Sequence, residues 1–211
     1  MKKYEFTGET RKIDDVLVHR IKRISDDLIG GWIQDESNLS QEDDCFVYDN
    51  ACVYDNAEVS GNAEVSGNAR VYDHARVYGN ACVRGNACVY CCARISENAA
   101  VTMSARVTGN ARVFGYARAS GHVYVSGYAW INDNARVFDQ ACISGYTTIY
   151  GDALVFDQAR VDGNSSVGGN AQVFGKAWVF GGAWVSGCAK VSGNMHVFGY
   201  TCVCGDEEIA S

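Results

Sequence analysis

Ala63-Glu64-Val65-Ser66-Gly67-Asn68 is one copy of the six-residue unit that decides the fold of this chain. The unit recurs 27 times from Cys45 to Asp206 with no insertion or deletion. Its third position is Val at 22 sites and Ile at four, and its first position is Ala at 21 sites. Self-similarity at a fixed period is the signature of a repeat architecture. The 211 residues are therefore predicted to form one solenoid rather than two globular domains.

The alternation within the unit predicts a short strand followed by a corner. Side chains alternate along a strand, so positions one and three share one face. The Gly-Asn or Asp-Asn pair that follows tolerates positive φ and predicts a turn. Three such bends close a triangular coil, and nine coils would stack at about 4.8 Å each around a column of Val and Ala.

The spacing also resembles that of a known family. Val59-Ser60-Gly61-Asn62-Ala63 matches the hexapeptide-repeat proteins, although the slot after the aliphatic residue, often Gly in that family, holds Tyr, Ser, Phe or Thr here. The resemblance implies an all-β fold: a left-handed parallel β-helix with three sides and about nine coils. A right-handed or four-sided coil is the alternative, but four-sided coils suit five-residue periods. The Gly-Asn-Ala-x-Val variant, together with Lys3–Phe6, Gly30–Ile33 and Asn38–Ser40, resembles a subfamily of bacteria and their phages that carries a transferase label.

The two ends of the chain fall outside the repeat. The predicted divisions are an N-terminal cap at residues 1–44, the β-helix at residues 45–206 and a C-terminal tail at residues 207–211. A hairpin is expected between Lys3–Phe6 and Val16–Ile24, turned by residues 8–11, with a short helix near residues 24–29. A cap of this kind would protect the open strand edges of the first coil.

Composition narrows the classes of partner. The formal net charge is −7 and no run of Lys or Arg occurs, which argues against duplex nucleic acid as a partner. No segment has the apolar length of a membrane span or a secretory signal, so a cytoplasmic location is expected. The ten cysteines are then expected to be free thiols on the surface and at corners, with no metal site or cofactor.

One outer column is expected to attract anions. Arg76, Arg94 and Arg112 are 18 residues apart and should lie on consecutive coils. Like charges at that spacing repel unless something neutralises them. Nearby acids or stacking on Tyr78 and Phe114 would do so, and so would a bound phosphate or carboxylate, which guanidinium forks suit.

A second column predicts self-association. Phe138, Phe156 and Phe174 should stack with Leu154 beside them, as an exposed apolar stripe. Such stripes on protein surfaces mark interfaces. We expect a homodimer or homotrimer formed through these four residues.

Enzymatic activity is the alternative that the resemblance offers. Hexapeptide-repeat acyltransferases use a His base and acyl-CoA, and the candidates here are His74, His122 and His196. No loop interrupts the repeat to form an acceptor pocket, so no catalytic residue is assigned. The sequence favours a non-enzymatic binding or scaffold protein that presents a flat face to a protein or a phosphorylated small molecule. The phage resemblance suggests that it masks a host protein or sequesters a signalling nucleotide.

Overall fold

Each six-residue unit forms one two-residue strand, and strands 18 residues apart pair in parallel, as Val65 pairs with Val83. The structure, a computed structural model, describes residues 2–210. Met1 in the predicted cap and Ser211 in the predicted tail lie outside the described residues. The strands form three sheets, stacked as a three-sided β-solenoid of about ten turns with about 18 residues per turn. The three-sided fold is confirmed, while its left-handed winding stays a prediction.

The three sheets are numbered by the order in which the chain passes through them. Sheet 1 contains β1 (Tyr4–Ile13), β2 (Val16–Arg23), β3 (Ile29–Ile33), β5 (Cys52–Val53), β8 (Arg70–Val71), β11 (Cys88–Val89), β14 (Arg106–Val107), β17 (Tyr124–Val125), β20 (Cys142–Ile143), β23 (Arg160–Val161), β26 (Trp178–Val179) and β29 (His196–Val197). Sheet 2 contains β6 (Glu58–Val59), β9 (Arg76–Val77), β12 (Arg94–Ile95), β15 (Arg112–Val113), β18 (Trp130–Ile131), β21 (Thr148–Ile149), β24 (Ser166–Val167), β27 (Trp184–Val185) and β30 (Cys202–Val203). Sheet 3 contains β4 (Phe46–Val47), β7 (Glu64–Val65), β10 (Cys82–Val83), β13 (Ala100–Val101), β16 (Arg118–Ala119), β19 (Arg136–Val137), β22 (Leu154–Val155), β25 (Gln172–Val173), β28 (Lys190–Val191) and β31 (Glu208–Ile209).

The core is the column predicted from the repeat. Third-position residues from Val47 to Val203 are at most 4% exposed. One turn alone could bury little of this apolar surface, so the stack is stabilised by contacts between neighbouring turns.

The corners depend on the fifth position of each unit, which takes positive φ, as at Gly67 (φ 71°) and Asp73 (φ 59°). An Asp in this slot can also accept a hydrogen bond from the backbone of the next turn. Asp73 Oδ2, for example, accepts a 2.9 Å hydrogen bond from Cys91 N. The sixth-position Asn side chains form amide ladders, as where Asn62 Nδ2 donates to Asn80 Oδ1 at 2.9 Å. Glycine and Asx residues are therefore favoured at the corner for conformational and hydrogen-bonding reasons.

The N-terminal hairpin is present, but its turn is not where the sequence predicted it. β1 runs through residues 8–11 and pairs antiparallel with β2, with an irregular register between Phe6 and Thr10. The turn is formed by Asp14 (φ 48°) and Asp15 (φ 67°), a pair suited to a two-residue hairpin loop. The expected helix near residues 24–29 is wrong: Ile29 already begins β3, and a 3₁₀ helix lies at Glu36–Asn38.

The predicted cap also supplies an additional turn of the solenoid. Ile33 of β3 pairs with Val53, and Leu39 forms a parallel bridge with Val59. Ile33 and Leu39 are six residues apart, as in the repeat, but eight residues separate Leu39 from Val47. The extra two residues hide this turn from the six-residue period, which explains why the sequence predicts nine coils and the structure has about ten.

At the other end, the repeat continues beyond Asp206. Glu208–Ile209 forms β31, which pairs with β28 through Val191 and Ile209. The predicted tail therefore contributes a strand to sheet 3.

The hairpin folds over the outer surface of sheet 1. Asp14 Oδ2 accepts hydrogen bonds from Tyr54 Oη and Arg70 Nη1, both at 3.1 Å. Val18, Trp32, Cys52 and Tyr54 form a buried cluster beneath it. The hairpin thus covers the start of the stack and is bonded to the outer side of its first turns. Among residues 2–210, no helix is long and apolar enough to cross a membrane.

Candidate functional site

The three predicted arginines lie on adjacent strands of sheet 2. Arg94 pairs in register with Arg76 on one side and Arg112 on the other. Glu58 precedes this column and Trp130 follows it. All three arginine side chains are exposed, so the predicted column exists as an accessible surface feature.

The two outer arginines have partners within the column, and the middle one does not. Arg76 Nη2 lies 3.3 Å from Glu58 Oε1, and the Arg112 guanidinium lies 5.3 Å from the centre of the Trp130 ring. In the part of the chain that the structure describes, no carboxylate and no aromatic ring pairs with Arg94 in this way. Two unit charges about 4 Å apart repel by about 1 kcal/mol in water. An anion bound beside Arg94 would offset this repulsion.

Shallow grooves lie on both sides of Arg94. One of about 330 Å³ opens toward the corner between sheets 1 and 2, where His74 and Cys92 lie. The other, of about 210 Å³, opens toward Tyr78, whose side chain is 39% exposed. Sequence reasoning treated His74 and the cysteines separately from the arginines. Their common 18-residue spacing was the signal, since His74 and Cys92 each lie two residues before an arginine of the column.

A second arginine pair was missed. Arg118 and Arg136 are in register on sheet 3, and neither has a salt bridge in the described chain. They line a groove of about 370 Å³ with Asp152 and the 65%-exposed Tyr116. The same 18-residue spacing would have found them. Asp152 supplies negative charge in this groove, as Glu58 does in both grooves beside Arg94, but Glu58 is paired with Arg76.

The predicted phenylalanine ladder forms, but it is only partly exposed. The Phe138 and Phe156 rings stack at 4.9 Å between centres, and the Phe156 and Phe174 rings at 5.0 Å. All three rings and Leu154 are half-buried rather than fully presented to solvent. The expected exposed stripe is corrected to a ribbed surface of stacked ring edges, because each ring covers the face of its neighbour.

The candidate histidines do not converge. His74 lies at the corner between sheets 1 and 2, and His122 lies at the corner between sheets 3 and 1, beside a groove of about 700 Å³. His196 is on sheet 1, where its ring lies 5.6 Å from that of Trp178. They occupy three separate places on the prism, so no pair of them can share a substrate.

The cysteines form no metal site in the described residues, and Cys45 and Cys52 are buried rather than on the surface as expected. All ten are free thiols, and in residues 2–210 no three His, Cys, Asp or Glu side chains are grouped to hold a metal ion. Burial raises the pKa of the Cys45, Cys52, Cys82 and Cys142 thiols. A raised pKa disfavours the thiolate, which is the metal-binding and nucleophilic form.

Comparison with known proteins agrees with the fold. The family model described as YdcK beta solenoid repeat matches residues 69–86, the length of one turn of the stack. No curated protein matches the chain. These findings support a β-solenoid family, and they carry no information about ligand or activity.

Proposed function

We propose that this protein is a non-enzymatic β-solenoid that binds a small phosphorylated ligand at Arg94. The observation that carries the proposal is the asymmetry of the arginine column. Arg76 is paired with Glu58 and Arg112 with the Trp130 ring, whereas the guanidinium between them has neither kind of partner. A bound phosphate would relieve the repulsion between the three charges and would use the free fork of Arg94.

The surroundings of Arg94 favour a nucleotide over inorganic phosphate. Tyr78 borders the same groove and exposes more than a third of its side chain. An aromatic ring beside a guanidinium offers a stacking surface for a base next to a site for its phosphate. Duplex DNA is disfavoured, since the formal net charge is −7.

Self-association is the second part of the proposal. The Phe138, Phe156, Phe174 and Leu154 surface lies on sheet 3, and the arginine column lies on sheet 2. Two or three copies packed through sheet 3 would bury the ring edges and leave the arginine column open to ligand. A host protein masked by the same solenoid, as the phage resemblance suggests, would need a partner surface that is not yet assigned.

The test is native mass spectrometry with added ATP and pyrophosphate. We expect one ATP per chain, bound more tightly than pyrophosphate. The Arg94→Gln variant should lose at least about tenfold in affinity, equivalent to one charge-assisted hydrogen-bonding group. Arg106→Gln is the matched control, because Arg106 is an exposed arginine on sheet 1 that lies between Cys88 and Tyr124.

Equal losses in the two variants would show non-specific attraction and contradict the proposal, as would no binding by the wild type. Acetyl-CoA should be tested alongside, because acyl transfer is the rival function. Binding of acetyl-CoA that depends on His122, the candidate base beside the largest of these grooves, would favour the rival.

A further inference from the structure

A groove separate from the arginine column runs along the corner between sheets 3 and 1. Its volume is about 700 Å³, within the range of small-molecule sites. It extends over five consecutive turns: Met103 lies at one end, and the following turns contribute His122, Gln140, Gln158 and Lys176, which are spaced 18 residues apart. None of these residues belongs to the surfaces discussed above, apart from His122 as a catalytic candidate.

The groove exists because this stretch of corner departs from the Gly-Asn consensus. At the fifth position of the unit, Asp139 and Asp157 stand where most corners have Gly, and they form one ridge. At the sixth position, Gln140 and Gln158 are longer than the usual Asn and form a second ridge. The earlier turn of the same corner at Gly67-Asn68 has the consensus residues and does not line the groove, whereas Met103, on the turn before His122, replaces the consensus Gly and does line it.

The two central turns are copies of each other. Residues 137–141 and 155–159 both have the sequence Val-Phe-Asp-Gln-Ala. β19 and β22 pair in register, so the two Asp-Gln pairs are one strand spacing apart, about 4.8 Å. The groove therefore presents a carboxylate and an amide at the same positions of two consecutive turns, at a pitch close to the length of one sugar ring.

Both walls of the groove have polar atoms that are available to hydrogen-bond a ligand. Asp157 Oδ2 accepts a 3.0 Å hydrogen bond from Gly175 N, which leaves its other oxygen available. The Asp139 carboxylate has no hydrogen-bond partner within residues 2–210. The Asp wall thus accepts hydrogen bonds, while the Gln amides of the opposite wall can both donate and accept them.

The groove carries charges of both signs. Lys176 closes one end of the groove and repels a cation, whereas Asp139 and Asp157 repel an anion. A neutral ligand with many hydroxyls, each both a donor and an acceptor, fits both walls. We propose that this groove binds a linear, neutral oligosaccharide, with successive sugar rings facing successive Asp-Gln pairs.

Saturation-transfer NMR with cellohexaose tests this proposal, with glucose and spermidine as comparison ligands. We expect transfer from the protein to the hexasaccharide, weaker transfer to glucose and none to spermidine. In the double variant Asp139→Gly/Gln140→Asn, binding of the hexasaccharide should weaken at least about tenfold, because one carboxylate is lost and one amide is drawn back by a methylene. This variant restores the consensus corner, and Gly tolerates the positive φ at position 139, so the fold should persist.

The matched control is Asp49→Gly on the same corner. Asp49 Oδ2 accepts a 2.9 Å hydrogen bond from Gly67 N, as Asp157 does from Gly175 N, but it lies outside the groove. Asp49→Gly should bind the hexasaccharide like the wild type, and the second variant Asp157→Gly/Gln158→Asn should repeat the loss. The proposal is overturned if cellohexaose gives no transfer, if both consensus variants bind unchanged, or if spermidine binds instead.

Discussion

The Asp14 carboxylate lies 3.1 Å from the Tyr54 hydroxyl and joins the tip of the N-terminal hairpin to the side of the solenoid. The same carboxylate oxygen lies 3.1 Å from Arg70 Nη1, on the next strand of sheet 1. The hairpin is therefore fixed at its base by β-pairing and near its tip by Asp14 and by Arg11, whose Nη2 donates a 2.9 Å hydrogen bond to Asn50 O. Because Tyr54 is only 2% exposed, its hydroxyl depends on Asp14 for a partner.

Replacing Asp14 by Asn should loosen the hairpin. Asn accepts the positive φ of this turn but loses the charge that pairs with Arg70. We expect a loss of about 0.5–1 kcal/mol, the range of exposed ion pairs, and faster amide hydrogen exchange in β1 and β2. Asp15→Asn, in the same turn, is the control and should exchange like the wild type. Equal exchange in both variants would show that Asp14 does not hold the hairpin.

Alkaline pH should destabilise the protein through its stacked tyrosines. Burial raises the pKa of Tyr72 from 10.0 to about 12, and burial also raises the pKa of Tyr54. The unfolded chain releases these protons first, so the contribution of these tyrosines to the free energy of unfolding should be constant below pH 10 and fall as the pH rises toward 12. Chemical unfolding at several pH values checks this, together with tyrosinate absorbance. The Tyr72→Phe variant should show a shallower decline, and an identical decline would contradict the assignment.

A charge in the core column should unfold the solenoid. Val113 is fully buried, between Ile95 and Ile131 of the neighbouring turns. We expect Val113→Asp to cost more than about 4 kcal/mol, because the carboxylate would have no partner there. Thermal melting followed by circular dichroism is the measurement. Thr148→Asp places the same charge on the outer side of sheet 2 and should melt within a few degrees of the wild type; a Val113→Asp protein that melts equally well would refute the inward assignment.

The proposed interface predicts a different response from Phe156→Glu. This change removes two ring stacks, each worth about 0.5–1.5 kcal/mol, and puts charges into the ribbed surface of sheet 3. The oligomer should dissociate to folded monomers, as measured by native mass spectrometry. Phe180→Glu is the matched control, since Phe180 is half-buried in the corresponding slot of sheet 1 and stacks on Phe198. An unchanged oligomer mass for Phe156→Glu would remove sheet 3 as the interface.

The repeat was enough to predict the solenoid, because its fold depends on local alternation and a fixed period. The third-position residues from Val47 to Val203 could be placed in the core without knowledge of distant contacts. The first turn of the solenoid was not predicted, because Leu39 and Val47 are eight residues apart rather than six. Only its pairing with Val53 and Val59 shows that it belongs to the stack. The sequence predicted the hairpin turn at residues 8–11 instead of at Asp14, because β1 continues through Gly8 with an irregular register. Composition alone does not show this irregularity.

The candidate site was predicted only as a column. The spacing of Arg76, Arg94 and Arg112 placed them on adjacent strands, but their pairing depends on side-chain conformations across a sheet. Whether Glu58 reaches Arg76, or the Trp130 ring meets Arg112, follows from the length and rotamer of each side chain. These lateral contacts decide that Arg94 is the unpaired member, and no period in the sequence encodes them.

The unbroken count of six has a consequence for how a gene of this kind can change. Inserting one unit after Asn80 would move Arg94 and Arg112 from sheet 2 to sheet 3 and would separate them from Arg76. Inserting or deleting three units would lengthen or shorten the rod by one level and return every later residue to its own side. Duplication of whole eighteen-residue modules is therefore the change in length that preserves each surface column, and any other multiple of six moves the later residues of all three faces to a different side.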